Sequence, residues 1–186
     1  SNTNGADKGI EGTNVTINAN NLDNTSGAIR ADETLAITGN GTVNNTSGLI
    51  TSAAVVAIKD SNPSAKILTV INTGGTIAAG TSSTIDAKSL TADGKLTSQG
   101  DLSIGITNDF NNTSELTANG NLTLNTTGTI TNTSKITAGE TLTLGSNQLY
   151  NEVTGEISGA DTHLNTADAI FNRGLIDGGA TTVIKT

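Results

Sequence analysis

The sequence of 186 residues contains no cysteine, methionine or tryptophan, and it has one proline, one tyrosine and two phenylalanines. Without cysteine the chain forms no disulfide bond and no thiolate metal site. Compact cores normally use aromatic residues and methionine to fill irregular gaps. A chain that lacks them needs a core so regular that isoleucine, leucine and valine fit without gap-fillers. These absences favour a repeat architecture.

Charged residues are also scarce, at 14% of the chain, and the formal net charge is -8. The nine basic residues are scattered between Lys8 and Lys185 and form no stripe, which argues against nucleic-acid binding and a polybasic membrane anchor. No apolar run approaches 18 residues, and no signal peptide is recognisable. We therefore expect no nucleic-acid partner and no membrane insertion. If the parent protein is secreted, we expect its export signal outside this segment.

The second half of the chain repeats with a period of 20 residues. Blocks 101–120, 121–140 and 141–160 align without gaps, and block 161–180 continues the frame. Apolar and polar residues alternate within each block, as in strands with one buried face. The recurrent apolar positions are Leu102, Ile104, Leu122, Leu124, Leu142 and Leu144 in a first strand, Phe110, Ile130, Leu149 and Ile170 in a second, and Leu116, Ile136, Ile157 and Ile176 in a third. Three short strands per repeat are typical of a parallel β-helix.

The first half of the chain follows the same frame more loosely. Its matching positions are Val15, Ile17, Leu35, Ile37, Val56 and Ile58, then Leu22 and Val43, then Ile29 and Ile50. A loop excursion over 59–66 contains the single proline, and the frame resumes at Val70. We predict an all-β parallel β-helix of about nine turns of ~20 residues, as one repeat segment over 1–186. The alternative, a compact β-sandwich, would not require the same residue type at the same phase of successive repeats.

Asparagine occupies one phase directly after the second strand in nearly every repeat. The members of this row are Asn24, Asn45, Asn72, Asn112, Asn132, Asn151 and Asn172, and Ala92 interrupts it. Asparagine tolerates left-handed backbone geometry, and stacked amides can donate to and accept from each other. We interpret the row as a structural ladder that holds the turn. The alternative is glycosylation, because the Asn-Thr-Ser triplets at 24–26, 45–47, 112–114 and 132–134 satisfy the acceptor pattern.

No catalytic, cofactor or metal site is predicted. The nearest carboxylate pairs are Asp32 with Glu33 and Glu152 with Glu156, and both lie in turns, where solvated charge is the usual reason for such pairs. The single histidine, His163, has the phase of an outward residue. Motifs for nucleophilic hydrolysis, zinc peptidases, phosphate binding and calcium binding are absent. A polysaccharide lyase is the remaining enzymatic alternative, and the 59–66 excursion remains a candidate contact surface.

The stretch LTANGNLTLNTTGTITNTSKITAGETLTL resembles the haemagglutinin repeats of two-partner-secretion exoproteins. The last residues, FNRGLIDGGATTVIKT, are similar to a phrase of the contact-dependent inhibition exoproteins within that group. The resemblance implies a right-handed β-helix within a long filament that is secreted through an outer-membrane transporter to the surface of a Gram-negative bacterium. It implies two partners, namely that transporter, engaged by regions outside this segment, and a cell-surface receptor.

The resemblance also implies the function. The expected role is a structural shaft that extends from the cell and presents adhesive or toxin domains. The alternative is direct adhesion by the lateral face of the rod, with a glycan as one target. Sugar sites favour aromatic platforms, and only Phe110, Tyr150 and Phe171 are aromatic. Phe110 points inward by phase, so the shaft is the preferred prediction.

Overall fold

A computed structural model describes residues 1–3 and 9–186 of the chain. Lys8, the first of the basic residues, therefore lies outside the described residues. Within the described ranges every regular element is a β-strand. In chain order the strands are β1 (Ile10–Asn18), β2 (Leu22–Asp23), β3 (Ala28–Gly39), β4 (Thr42–Asn44), β5 (Leu49–Ser52), β6 (Val55–Asp60), β7 (Thr69–Ile71), β8 (Thr76–Ala79), β9 (Ser82–Asp86), β10 (Ser89–Thr91), β11 (Lys95–Ser98), β12 (Asp101–Gly105), β13 (Phe110–Asn112), β14 (Leu116–Ala118), β15 (Leu122–Asn125), β16 (Thr129–Asn132), β17 (Lys135–Ala138), β18 (Thr141–Asn151), β19 (Glu156–Asn172) and β20 (Leu175–Lys185).

The strands stack in three columns, and each complete coil passes through columns 1, 2 and 3 in that order. Column 1 contains β6, β9, β12, β15 and parts of β1, β3, β18, β19 and β20. Column 2 contains β2, β4, β7, β10, β13, β16 and parts of β18 and β19. Column 3 contains β5, β8, β11, β14, β17 and parts of β1, β3, β19 and β20. The long strands run round a corner of the coil and so belong to two columns or more.

Every pairing is parallel and joins equivalent residues of successive coils. In column 1, Leu102 pairs with Leu122, and Leu122 pairs with Leu142. Nine column-1 segments define about nine coils, numbered here from the segment in β1, so β9 opens coil 4 and β12 opens coil 5. At about 4.8 Å per coil the stack is roughly 40 Å long. The predicted parallel β-solenoid of about nine turns is confirmed, and the β-sandwich alternative is wrong. The right-handed sense stays a prediction, which the general handedness of parallel crossovers supports.

The core is a set of aliphatic columns that run along the axis. Leu102, Ile130 and Ile136 represent the three inward sets, and all three are buried. Burial decreases towards the ends of the stack. Ile17 in coil 1 is only half-buried, and Ile184 in the last coil is 54% exposed although its partner in the preceding coil, Leu164, is fully buried. A coil buries its apolar side chains only between two neighbours, so the stability of the stack is collective.

The excursion lies two residues further along than predicted. Lys59 and Asp60 belong to β6, where they pair with Thr38 and Gly39, so the irregular segment runs over 61–68. The C-terminal end of the excursion lies along the outer surface of the following coils. Lys66 Nζ lies 2.6 Å from a carboxylate oxygen of Asp86 and donates to the Gly105 carbonyl at 3.2 Å. The excursion is therefore attached to the two following coils.

Candidate functional site

The asparagine row forms a hydrogen-bonded ladder inside the rod. Six of the seven predicted residues are buried, and Asn172, near the last coil, is exposed. Each side-chain amide nitrogen donates to the side-chain oxygen of the next asparagine. The distances are 2.7 Å from Asn24 to Asn45, 2.8 Å from Asn45 to Asn72, 2.8 Å from Asn112 to Asn132, 2.9 Å from Asn132 to Asn151 and 2.8 Å from Asn151 to Asn172. All these bonds point the same way along the rod, so the ladder has a direction.

Each amide also holds the turn of the next coil. The Asn45 amide donates to the backbone carbonyl of Thr76 at 3.1 Å, and the Asn132 amide donates to that of Glu156 at 3.1 Å. The acceptor is the residue just before the inward residue of column 3. The bond therefore connects the column-3 strand of one coil to the asparagine of the preceding coil. Thr76 and Glu156 are the first residues of β8 and β19, so the ladder adds a side-chain bond at the corner where column 3 begins.

Ala92 divides the ladder into two segments. Asn72 finds a backbone acceptor there, the carbonyl of Lys95 at 3.2 Å. On the other side, the side-chain oxygen of Asn112 is buried and has no hydrogen-bond partner among the described residues. The ladder gains one member at its start, because the Asn2 amide donates to Asn24 at 2.7 Å. Sequence analysis missed Asn2, although it lies close to one period before Asn24.

The four sequon asparagines are poor glycosylation acceptors in the folded rod. Asn24, Asn45 and Asn132 are fully buried and Asn112 is nearly so. The nitrogen that would carry the sugar is the same nitrogen that donates along the ladder. A glycan at any of these positions would remove ladder bonds and would have no room beside the core.

Asp60 is a buried carboxylate that sequence analysis did not single out as a structural residue. Its side chain accepts backbone N–H groups of Asn62 at 2.8 Å and of Ile67 and Leu68. Burial raises the pKa of Asp60, but the N–H groups of Leu68, Asn62 and Ile67, together with the charge of Lys66, outweigh it, so the pKa lies below its ordinary value. Asp60 therefore closes the excursion as a charged hydrogen-bond acceptor.

The predicted carboxylate pairs do not converge on a site. Glu152 lies 3.3 Å from Arg173, Glu156 lies 3.2 Å from Lys135, and both contacts are ion pairs near the surface. Asp32 and Glu33 are exposed. His163 is half-exposed and pairs in register with Thr143 and Val183 on the outer face of column 1, as its phase predicted. Across residues 1–3 and 9–186 no group of three histidine, aspartate or glutamate side chains is close enough to hold a metal ion.

The outer face of column 2 carries an aromatic stack. The rings of Tyr150 and Phe171 lie 4.6 Å apart between centroids and 14° from parallel, and Phe171 is 47% exposed. The two residues pair in register on successive coils, so the coil spacing itself sets the stacking distance. Phe110, by contrast, is fully buried in the core, as its phase predicted. The stack places an aromatic surface on the side of the rod.

The described part of the chain contains no helix that could cross a lipid bilayer. Comparison with protein families gives one match, the haemagglutinin repeat, over residues 3–78, 37–105, 78–134 and 107–185. The four overlapping matches cover nearly the whole chain. The chain belongs to the haemagglutinin repeat family. No curated protein and no solved structure matches it.

The Asn-Thr-Ser triplets of these haemagglutinin repeats, and the related Asn-Thr-Gly at 72–74, form two different turns. In the first, Asn-Thr-Ser-Gly or Asn-Thr-Gly-Gly, the third residue is left-handed, with φ of 53° at Ser26, 53° at Ser47 and 59° at Gly74. The glycine that follows packs against the preceding coil, and a Cβ on Gly48 would collide with the Asn24 backbone oxygen. In the second, at 112–114 and 132–134, the same triplet has no left-handed residue and leads directly to column 3. The Asn-Thr-Ser triplet thus adopts two backbone conformations. A glycine follows the triplet only where its third residue is left-handed.

Proposed function

We propose that this chain is a shaft segment of a secreted surface filament, which holds adhesive or toxin domains at a distance from the cell. The observation that supports this most strongly is the repeated stack of coils. Successive coils are related by translation, three columns of backbone hydrogen bonds run along the axis, and the asparagine ladder reinforces one corner. The number of coils sets the length of such a rod, and the hydrogen bonds that run along its axis make it stiff.

The cellular setting belongs to the same proposal. Membership of the haemagglutinin repeat family supports a secreted or surface-exposed adhesin-type protein. We place the filament on the outer surface of a Gram-negative bacterium, exported by a two-partner-secretion transporter that engages other regions of the parent protein. Contact-dependent inhibition is one system that would use such a shaft to reach a cell-surface receptor.

The shaft function is tested by binding and by substitution. The isolated chain, labelled and titrated onto target cells and onto immobilised glycans, should show no saturable binding. In the parent filament, exchange of this segment for an equal number of coils with different outward residues should leave adhesion or toxin delivery intact. Saturable binding by the isolated chain, or loss of delivery on exchange, would contradict the shaft function. No turnover of acidic polysaccharides is expected, and measurable cleavage would favour a lyase.

Direct adhesion is the second candidate, and the exposed Tyr150–Phe171 stack favours it. Val153, in the turn that follows Tyr150, is a further exposed apolar side chain, at 74%. If the isolated chain binds a surface ligand, the Phe171→Ser variant should abolish that binding. Thr131→Ser, an outward substitution on an adjacent coil, is the matched control and should retain it. Equal binding by both variants would exclude the aromatic stack as the adhesive surface.

A further inference from the structure

Coils 4 and 5 are joined on two sides of the rod but hardly on the third. In column 1, β9 and β12 pair through five residues, and in column 3, β11 and β14 pair through three. In column 2, β10 and β13 share a single bridge, between Ala92 and Asn112. The sheet of column 2 therefore ends at β10, and β13 begins a new set of strands. All other neighbouring column-2 segments among the described residues pair through two residues or more.

The outer surface opens at the same place. A notch of about 550 Å³ lies between β10 and the segment 107–111 of the next coil. The strand pairing that would close it is replaced by two bonds to one acceptor, because Thr107 N and Asn108 N both donate to the Lys88 carbonyl, at 3.1 and 3.0 Å. This notch lies on the column-2 side of the rod.

The interior of coil 4 also differs from that of coil 5. Where coil 5 has Leu102 in column 1, coil 4 has Ser83. The hydroxyl groups of Ser83 and Ser98 are buried without a hydrogen-bond partner among the described residues. The Asn112 side-chain oxygen, which faces the break at Ala92, is a third such atom. Unsatisfied buried polar atoms destabilise the folded state, and of these three the Asn112 oxygen lies in column 2, at the break itself.

We infer that the junction of coils 4 and 5 is a hinge built into the rod. The blocks 9–99 and 101–186 separate on the column-2 side while columns 1 and 3 stay paired, and they do so before either block unfolds. The missing strand pairs of column 2 and the interrupted ladder at Ala92 lower the cost of this opening. The inference concerns the isolated chain and does not depend on the shaft function.

Hydrogen exchange followed by mass spectrometry tests the hinge. In the unmodified chain, backbone amides at 89–92 and 110–113 should exchange about tenfold faster or more than those of β4, β7 and β16, which lie in the same column. Ala92→Asn supplies the missing ladder residue, with a donor for Asn112 and an acceptor for Asn72. It should slow exchange at 89–92 and 110–113 about tenfold, because a satisfied hydrogen bond replaces an orphaned atom. Ala92→Leu, of similar size but without an amide, should not.

Uniform exchange along column 2 in the unmodified chain would overturn the hinge, whatever the variants do. Equal effects of Ala92→Asn and Ala92→Leu would overturn the role of the ladder break. Cysteine pairs give a second measurement, because the chain has no native cysteine. A disulfide between Thr91→Cys and Asn111→Cys should lock the notch and slow exchange there. The matched pair Thr97→Cys and Thr117→Cys, across the intact column 3, should leave exchange at the notch unchanged, and the reverse result would place the hinge on the wrong side.

Discussion

At the scale of the single residue, asparagine suits the ladder because its amide both donates and accepts hydrogen bonds. Aspartate has no donor when ionised, and leucine, of similar size, has neither group. The spacing of successive coils, about 4.8 Å, lets one short amide reach the next, as the 2.8 Å contact between Asn112 and Asn132 shows. The residue type is therefore determined by the spacing and by the need to satisfy buried groups on both sides.

Asn132→Leu is predicted to lower the free energy of unfolding by about 3 kcal/mol, because it leaves polar atoms of Asn112 and Asn151 without ladder partners. Urea denaturation followed by circular dichroism measures the effect. The control is Asn111→Leu, since Asn111 is exposed on the opposite face of the strand. This control should change stability by less than about 0.5 kcal/mol. Equal effects of the two substitutions would show that the ladder adds no stability.

Asp60 makes stability depend on acid. Its pKa is lowered in the folded state, so its contribution is fully present above the ordinary aspartate pKa and is lost as pH falls through the lower folded-state value. Asp60→Asn should lower the free energy of unfolding at neutral pH by about 2 kcal/mol, since it replaces a charged acceptor of three N–H groups. The deficit should shrink as the pH falls below the ordinary aspartate pKa of about 3.9, measured by urea denaturation across a pH series. The exposed control, Asp32→Asn, should keep the acid dependence of the unmodified chain.

At the scale of the element, the turns after the asparagines explain why one triplet adopts two conformations. Asn-Thr-Ser at 45–47 is followed by Gly48, which lies against the preceding coil and makes this corner one residue longer. Asn-Thr-Ser at 132–134 is followed by Lys135, which already belongs to column 3. The longer corner needs a left-handed residue, and Ser47 supplies it at a cost that glycine would not have.

Ser47→Gly should therefore raise the free energy of unfolding by about 0.5–1 kcal/mol, because it relieves the left-handed strain. Gly74 already fills the equivalent position in the next coil. The matched control is Ser134→Gly, in the shorter turn without a left-handed residue. It should lower stability by about 0.4–1 kcal/mol, since glycine adds only freedom to the unfolded chain. Thermal and urea unfolding of both variants measure the difference, and a gain in both would contradict this account of the turns.

At the scale of the whole molecule, stability is a sum over coils and their interfaces. Removal of residues 121–140 deletes one coil and brings Leu102 onto Leu142 and Asn112 onto Asn151, with every column still in register. The shortened chain should fold into a rod about 4.8 Å shorter. Removal of 121–130 alone should abolish folding, because it shifts the columns out of register. Far-UV circular dichroism and denaturation measure both, and equal folding of the two deletions would contradict a register-dependent stack.

The period and the identity of the inward residues were predictable because they follow from elementary patterns. Alternation of polar and apolar residues marks a half-buried strand, and recurrence of the same type at a 20-residue spacing marks stacked coils. Leu102, Ile130 and Ile136 are therefore buried where the sequence placed them. The asparagine phase was equally visible, whereas Asn2 was missed because too little of the frame precedes it for the period to be recognised.

The sequence alone predicts the parallel β-solenoid, its three columns, its number of coils and its haemagglutinin-type repeats. Each of these is a periodic property that recurs many times along the chain. Features that occur at a single place in the chain could be recognised only from the packing of the folded coils. Asp60 became a buried acceptor because an excursion folds back over it, and Ser47 became left-handed because Gly48 meets the coil below. The parting of β10 from β13 depends on the contacts between two particular coils. Such contacts have no period, and they appear only when the coils are packed.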